Sequence, residues 1–272
     1  MTVAGGVFKV LQWSGDFDGA WADGGVERYR REGFNGLDLT PGGEWTPADL
    51  EFLEELEGLR FLEVRGKVPD DLVAFRHEEL EELTLATGSR RRVPEVVRPQ
   101  LKALCLADRP GVEVAQRWPN LERIRIGGWR GIDLGQVVGA ARLSRVYLEG
   151  RRQQGTLRGV ETCTSLTELI SINYSIEDTA PLTGLDNLRE VRLMAASPTP
   201  SHGRVSFADL AGPDLRRIWI SNARNLLDFD ALRSLPRLRE LRLIECAVGA
   251  PDAELLTSLP ASVDIRIIDP VE

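Results

Sequence analysis

Leu235–Cys246, LPRLRELRLIEC, decides the fold. Its leucines stand at 235, 238, 241 and 243, so three-residue steps tighten into a two-residue step. Three-residue spacing suits a turn or short helix. Two-residue spacing suits a strand, here with Leu241 and Leu243 on one buried face. The fragment reads as a turn feeding a strand.

Outward from this fragment the same figure, L-x-x-L-x-L, recurs along the chain. It fits Phe34/Leu37/Leu39, Leu59/Leu62/Val64, Leu80/Leu83/Leu85, Leu101/Leu104/Leu106 and Leu121/Ile124/Ile126. Leu143/Val146/Leu148 follows, then a degenerate copy at Leu166/Leu169/Ser171. Leu188/Val191/Leu193, Leu215/Ile218/Ile220 and Leu238/Leu241/Leu243 continue the series, and Ser262/Ile265/Ile267 closes it. These eleven copies start at intervals of 20 to 27 residues. Self-similarity at such a period marks a solenoid.

The figure resembles that of leucine-rich repeat proteins, with a period nearest the internalin-like repeats of about 22 residues. Ser175–Leu188, SIEDTAPLTGLDNL, carries the match most fully. The resemblance implies an α/β fold: a right-handed solenoid, or horseshoe, with a concave parallel sheet and convex short helices and turns. It covers residues 34–268, and the expected repeat domain is 34–272. One departure stands out. The family usually places Asn three residues beyond the last strand leucine, where its amide satisfies backbone groups in the turn. Here that slot holds Lys67, Gly88, Arg109, Trp129, Arg151, Tyr174, Ala196, Ala223 and Cys246. Only Cys246 is an accepted substitute. A less regular coil is expected.

Residues 1–33 read as an N-terminal cap, a strand at 7–13 plus a helix at 20–31 interrupted by Gly24 and Gly25, covering the first coil's core. Thr46 is a good N-cap for a helix at 47–59, and 133–143 has helical spacing as well. Residues 179–185 suit one tight turn, because Pro181 fits only a helix start. Residues 88–92 and 195–204 break the rhythm and read as exposed loops, the second poised to close over one edge.

Of the 272 residues, 42% are apolar, ample for a core, and the net charge is −8. Residues 1–100 carry 12 basic and 20 acidic residues, leaving 22 of each for 101–272. That balance argues against a nonspecific nucleic-acid binder. Arg outnumbers Lys 31 to 3, which points to a GC-rich, bacterial genome. Three cysteines far apart make no disulfide framework. No apolar run reaches membrane-spanning length, and residues 1–15 lack the basic lead-in of a secretory signal. A cytoplasmic protein, monomeric when unbound, is expected.

If the strand leucines point inward, the residues between them point to the concave side. That central column reads Asp38, Glu63, Thr84, Cys105, Arg125, Tyr147, Ile170, Arg192, Trp219, Arg242, Arg266. Tyr147, Ile170 and Ile172, Met194, Trp219 and Ile244 would form an apolar strip bordered by Arg125, Arg192, Arg217 and Arg242. Aromatics, Met and Arg are the residue types enriched in protein interfaces. The competing reading is a solvated face whose Arg and Glu pair across strands, as Arg192 with Glu168 or Arg217 with Glu240. An arginine–glutamate lattice gives no reason for an indole, so Trp219 favours a binding surface. The expected site is therefore Arg125, Tyr147, Ile170, Arg192, Met194, Trp219, Arg217 and Arg242.

Catalytic and metal chemistry find little support. His77 lacks the second histidine of a zinc-protease helix. Asp16-x-Asp18-Gly19 sets its glycine too early for a calcium loop. Cys105 lies mid-face with no histidine in any concave slot to serve as its base. Arg90–Arg92 reads as a solvated turn before a phosphate clamp. No cofactor is implied. The expected function is non-catalytic binding of another protein that presents an acidic and apolar surface. A small bacterial repeat protein of this kind is similar to immunity or inhibitor proteins that block a toxin. An adaptor or scaffold in a signalling or defence complex is the alternative. The rival of another class is an enzyme accessory or metal-binding protein using the acidic N-terminal third.

Overall fold

A computed structural model describes residues 2–3, 6–14, 21, 24–40, 50–195 and 200–268. Twelve strands belong to one parallel sheet. The chain forms two compact units, Met1–Arg125 and Ile126–Glu272. The first contains the strands Val10–Trp13, Gly36–Leu39, Phe61–Arg65, Glu82–Ala86 and Ala103–Ala107, neighbours in chain order. The strand Arg123–Trp129 spans the division. The second unit contains Arg145–Gly155, Glu168–Ile176, Glu190–Met194, Arg217–Ser221, Glu240–Ile244 and Asp264–Ile268.

The two-residue leucine spacing sets the register. Leu37 pairs with Leu62, Leu62 with Leu83, and Leu83 with Leu104. In the second unit Val146, Leu169, Val191, Ile218, Leu241 and Ile265 form the equivalent row. From Leu37 to Leu243 the inward positions are buried, including Ser171 of the degenerate copy. The Ser171 hydroxyl donates to the Tyr174 carbonyl at 3.1 Å, so that polar group has a partner. This is the leucine-rich-repeat arrangement.

A twelfth copy precedes the eleven read from sequence. Val10–Trp13 pairs in parallel with Gly36–Leu39, which aligns Phe8, Leu11 and Trp13 with the repeat figure. Phe8 and Leu11 are buried, and Phe8 meets the Phe61 ring at 5.6 Å. The following helix is Gly25–Glu32, shorter than the sequence suggests. It starts at the two glycines and buries Tyr29. Thr46, proposed as an N-cap, lies outside the described residues.

Most returns between strands are 3₁₀ turns. Glu51–Glu55 takes this form within the expected 47–59 helix, and Leu134–Gln136 replaces the helix expected at 133–143. A five-residue strand spans about 16 Å, and a tighter 3₁₀ turn or an extended chain recovers that length with fewer residues than an α-helix. Gly135 and Gly139 further weaken an α-helix there. Among the described residues only the first and last returns, Gly25–Glu32 and Ala250–Thr257, are α-helical. Residues 179–185 hold the expected single turn, Ala180–Leu182.

The chain leaves several strands through a left-handed residue. Asn173, Asn222 and Glu245 have φ of 53°, 55° and 53°, each two positions beyond the last inward residue. Gly66 and Gly128 occupy the same position in other copies. Asn and Gly tolerate this conformation, whereas Glu does so at a cost.

The slot that lacks asparagine is filled differently in each copy. Arg109 is buried and donates to Asp71 at 2.7 and 2.9 Å, while Thr87 donates to the same carboxylate at 2.6 Å. Trp129 and Tyr174 fill the slot with rings, and the Tyr174 hydroxyl reaches the Ile132 carbonyl at 3.0 Å. The Cys246 thiol reaches the Ile220 carbonyl at 3.5 Å. Residues 196–199 lie outside the described set. After them the expected loop is partly ordered as the strand His202–Ser206, paired in parallel with Ala223–Leu227. The closing copy is less covered than its spacing implies, since Ile267 is 42% and Ile268 46% exposed.

Candidate functional site

The outward columns of the second unit are fixed by the same register that buries the leucines. Tyr147 pairs with Ile170, Ile170 with Arg192, Arg192 with Trp219, and Trp219 with Arg242. A second row runs Ile172, Met194, Ser221 and Ile244. These residues therefore share one face, opposite the core. Arg125 also points away from the core, but it belongs to the first unit and is exposed.

Trp219 is the centre of the arrangement. The Arg192 guanidinium lies 3.9 Å from its ring centre and the Arg242 guanidinium 4.1 Å. Each rung of a sheet sits about 4.8 Å from the next, so flat groups on three adjacent strands can stack. The indole is thus held between two cations, an attraction of about 0.5–2 kcal/mol per pair depending on solvent exposure. It is half-buried by its neighbours and not by the core. Among the described residues its Nε1–H has no hydrogen-bond partner.

The arginines are already engaged. Arg192 pairs with Glu190 and Arg242 with Glu240, each two residues earlier on its own strand. Glu190, itself buried, also takes Arg217 from the adjacent strand. The cross-strand pairs expected from sequence, Arg192 with Glu168 and Arg217 with Glu240, do not form. Arg192 and Arg242 take the carboxylate two residues back, which shares their face of the strand, while Arg217 pairs across strands with Glu190, its opposite neighbour on the other side from Glu240. Glu168 instead lies 3.8 Å from Arg145. A guanidinium carries five donors, and one carboxylate leaves several of them for a partner.

Tyr147, Ile172, Met194 and Ile244 are half-covered, and Ile170, at 9% exposed, forms the floor beside the stack. Sequence alternation placed all of these on the face. It could not show the sandwich or the part that Glu190 and Glu240 take in holding it. The signal was the i, i+2 Glu-x-Arg pattern at 190–192 and 240–242.

In the first unit the outward acids are internally paired: Glu63 with Arg65, and Glu82 with Arg123 at 2.7 Å. Thr40 donates to Asp38 at 2.9 Å. Among the described residues no three His, Cys, Asp or Glu side chains converge as a metal site. The Asp16–Asp18 loop lies outside them. Burial pushes the Cys105 thiol up, away from the thiolate a nucleophile needs. Of the basic turn, Arg91 lies 3.3 Å from Asp70 and Arg92 3.2 Å from Glu113. No helix among the described residues is long and apolar enough to cross a membrane.

No protein-family model matches the chain, and no curated protein sequence matches it. Solved structures do. An internalin (inlF) of Listeria monocytogenes is 18% identical with a TM-score of 0.57, over 91% of this chain and 64% of that one. The leucine-rich-repeat ectodomain of the Arabidopsis thaliana receptor kinase GASSHO1/SCHENGEN3, solved with CASPARIAN STRIP INTEGRITY FACTOR 2, is 14% identical with a TM-score of 0.60. That match covers 94% of this chain and 31% of the ectodomain. The chain therefore spans less than two thirds of either protein's solved length. At such identities the likeness shows the fold alone.

Proposed function

We infer that this chain, which has the leucine-rich-repeat fold, is a non-catalytic protein-binding module whose partner docks on the outward sheet face of residues 126–272. Trp219 and Tyr147 are the anchors, Ile170 and Met194 the apolar floor, and Arg192, Arg217 and Arg242 the charged rim. The observation that carries this reading is the Arg192–Trp219–Arg242 stack. It holds a large aromatic in one rotamer on the face away from the core, which lowers the ordering cost of binding. Trp and Arg are also the residue types that dominate interface energetics.

The partner presents carboxylates to the spare guanidinium donors and an apolar group beside Tyr147 and Ile170. Residues 1–33, which contain that twelfth copy, act as the cap of the later repeats in this reading. Within the class, an immunity or inhibitor protein that blocks a toxin and an adaptor in a defence or signalling complex both use such a face. Cytoplasmic residence and a bacterial source are part of the same proposal, the latter resting on the arginine-rich composition.

The test compares the wild-type chain with Trp219→Ala in capturing and then titrating a partner from the source cells. Trp219→Ala should weaken binding by about 2 kcal/mol or more. Its unfolding free energy should stay within about 0.5 kcal/mol of wild type. Undiminished affinity would remove Trp219 from the interface. Loss of folding would place it in the core.

A further inference from the structure

A second feature of residues 126–272 lies at the leading end of the strands, apart from the outward face. Arg189, Arg216 and Arg239 stand one residue before three neighbouring strands. The Arg216 backbone N–H donates to the Arg189 carbonyl at 2.9 Å, and the Arg239 N–H to the Arg216 carbonyl at 2.9 Å. They are therefore consecutive rungs of one row, about 4.8 Å apart. All three are exposed, and among the described residues none has an ion-pair partner. Like charges directly opposite one another destabilise a sheet.

Topology does not force this choice. The same row in the first unit reads Arg60, Glu81 and Lys102, joined by the same backbone hydrogen bonds at 2.8 Å each. There the charges alternate and neutralise one another: Arg60 Nε donates to Glu81 at 2.6 Å and Lys102 Nζ at 2.7 Å. Beside Arg216 and Arg239 the surface sinks into a depression of about 450 Å³, lined also by Pro236, Arg237, Leu238 and Ser262. Arg237 is paired with Asp214. Arg216 and Arg239 thus remain as two uncompensated cations at the rim of a hollow.

We propose that Arg189, Arg216 and Arg239 form an anion-binding row that takes a phosphate-class ligand, with a short polyphosphate chain bridging the rungs. Two guanidinium forks on adjacent rungs carry five donors each, more than the roughly four lone-pair sites of one carboxylate can accept. A tetrahedral phosphate has oxygens enough for both. A linked second phosphate group extends the contact to the third rung. The site is independent of the outward face and of whatever protein binds there.

Sodium tripolyphosphate titrated into the full chain at constant ionic strength tests this, read by calorimetry and by thermal melting. Saturable binding and a raised melting temperature are expected. The Arg216→Gln/Arg239→Gln double variant should bind at least tenfold more weakly, with an unchanged circular dichroism spectrum. An Arg90→Gln/Arg92→Gln control should bind like wild type. Absence of saturable binding, equal binding by the Arg216/Arg239 variant, or binding of a glutamate-rich peptide in place of tripolyphosphate would overturn the assignment.

Discussion

Met1–Arg125 and Ile126–Glu272 are built on the same leucine register, yet they treat charge differently in the row that leads into the strands. In the first unit Arg60 and Lys102 share Glu81, Arg65 meets Glu63, and Arg123 meets Glu82. Burial pushes the Glu81 carboxyl up, but its bonds to Lys102 and Arg60 outweigh that and hold it below the ordinary range. In the second unit Arg192 and Arg242 are stacked on Trp219, and Arg189, Arg216 and Arg239 stand in a row without acids. The columns the leucines leave free therefore carry different chemistry in the two units.

The largest effect expected concerns how each copy closes its turn. Arg109→Ala leaves Asp71 as a buried charge without its partner, since the pair is 2% and 0% exposed. Such a loss costs about 3–5 kcal/mol, visible as a fall in the urea midpoint. A change under about 1 kcal/mol would show that water reaches Asp71 and that this slot is not a buried lock.

A matched pair tests whether the two units share one scaffold. Leu62→Ala in the first and Leu241→Ala in the second remove equivalent, fully buried side chains. Each should cost about 2–5 kcal/mol. Strongly unequal losses would mean that the core is not equally packed in the two units.

Acid sharpens the contrast from another side. His202 is buried in the second unit; the Ile176 N–H donates to its Nδ1 at 3.1 Å, and its Nε2 faces the Leu193 carbonyl at 3.1 Å. Burial pulls its pKa from 6.5 down to about 4. The folded state therefore favours the neutral ring. Stability is complete above pH 6.5 and falls as the pH drops from there to about 4. His202→Gln should flatten that part of the stability curve. An unaltered slope would assign it to carboxylates instead.

The smallest effect is local. Glu245→Gly relieves a left-handed backbone that glycine adopts freely, and should stabilise the chain by up to about 1 kcal/mol. Asn173→Gly and Asn222→Gly should gain less, because asparagine tolerates this conformation. A loss of stability at 245 would mean that the Glu245 side chain contributes contacts worth more than the strain.

The sequence carried the scaffold well because its signal is geometric. Two-residue spacing of Leu241 and Leu243, or of Val191 and Leu193, fixes which side chains face inward, and the rest follow by alternation. The first copy departs from the leucine figure because Phe8 and Trp13 stand where leucines do elsewhere. The helical spacing at 50–59 and 133–143 folds as 3₁₀ turns, since apolar spacing of three to four residues does not distinguish an α-helix from a 3₁₀ turn plus extended chain. The missing asparagines were evident, but not that Arg109 would reach back 38 residues to Asp71.

Of the outward face, membership was legible and rotamers were not. Alternation put Arg192, Trp219 and Arg242 on adjacent rungs. The stack depends on side-chain torsions and on Glu190 and Glu240, which no column count specifies. The arginine row did leave a trace, the Leu-Arg dipeptide at 188–189, 215–216 and 238–239.

Oxidative footprinting of Tyr147, Met194 and Trp219, with and without the captured partner, tests the docking face most directly. All three should be protected in the complex, while residues of the 3₁₀ turns behind the sheet keep their reactivity. Unchanged oxidation at Trp219 and Tyr147, with protection appearing on those turns, would contradict the assignment of the face.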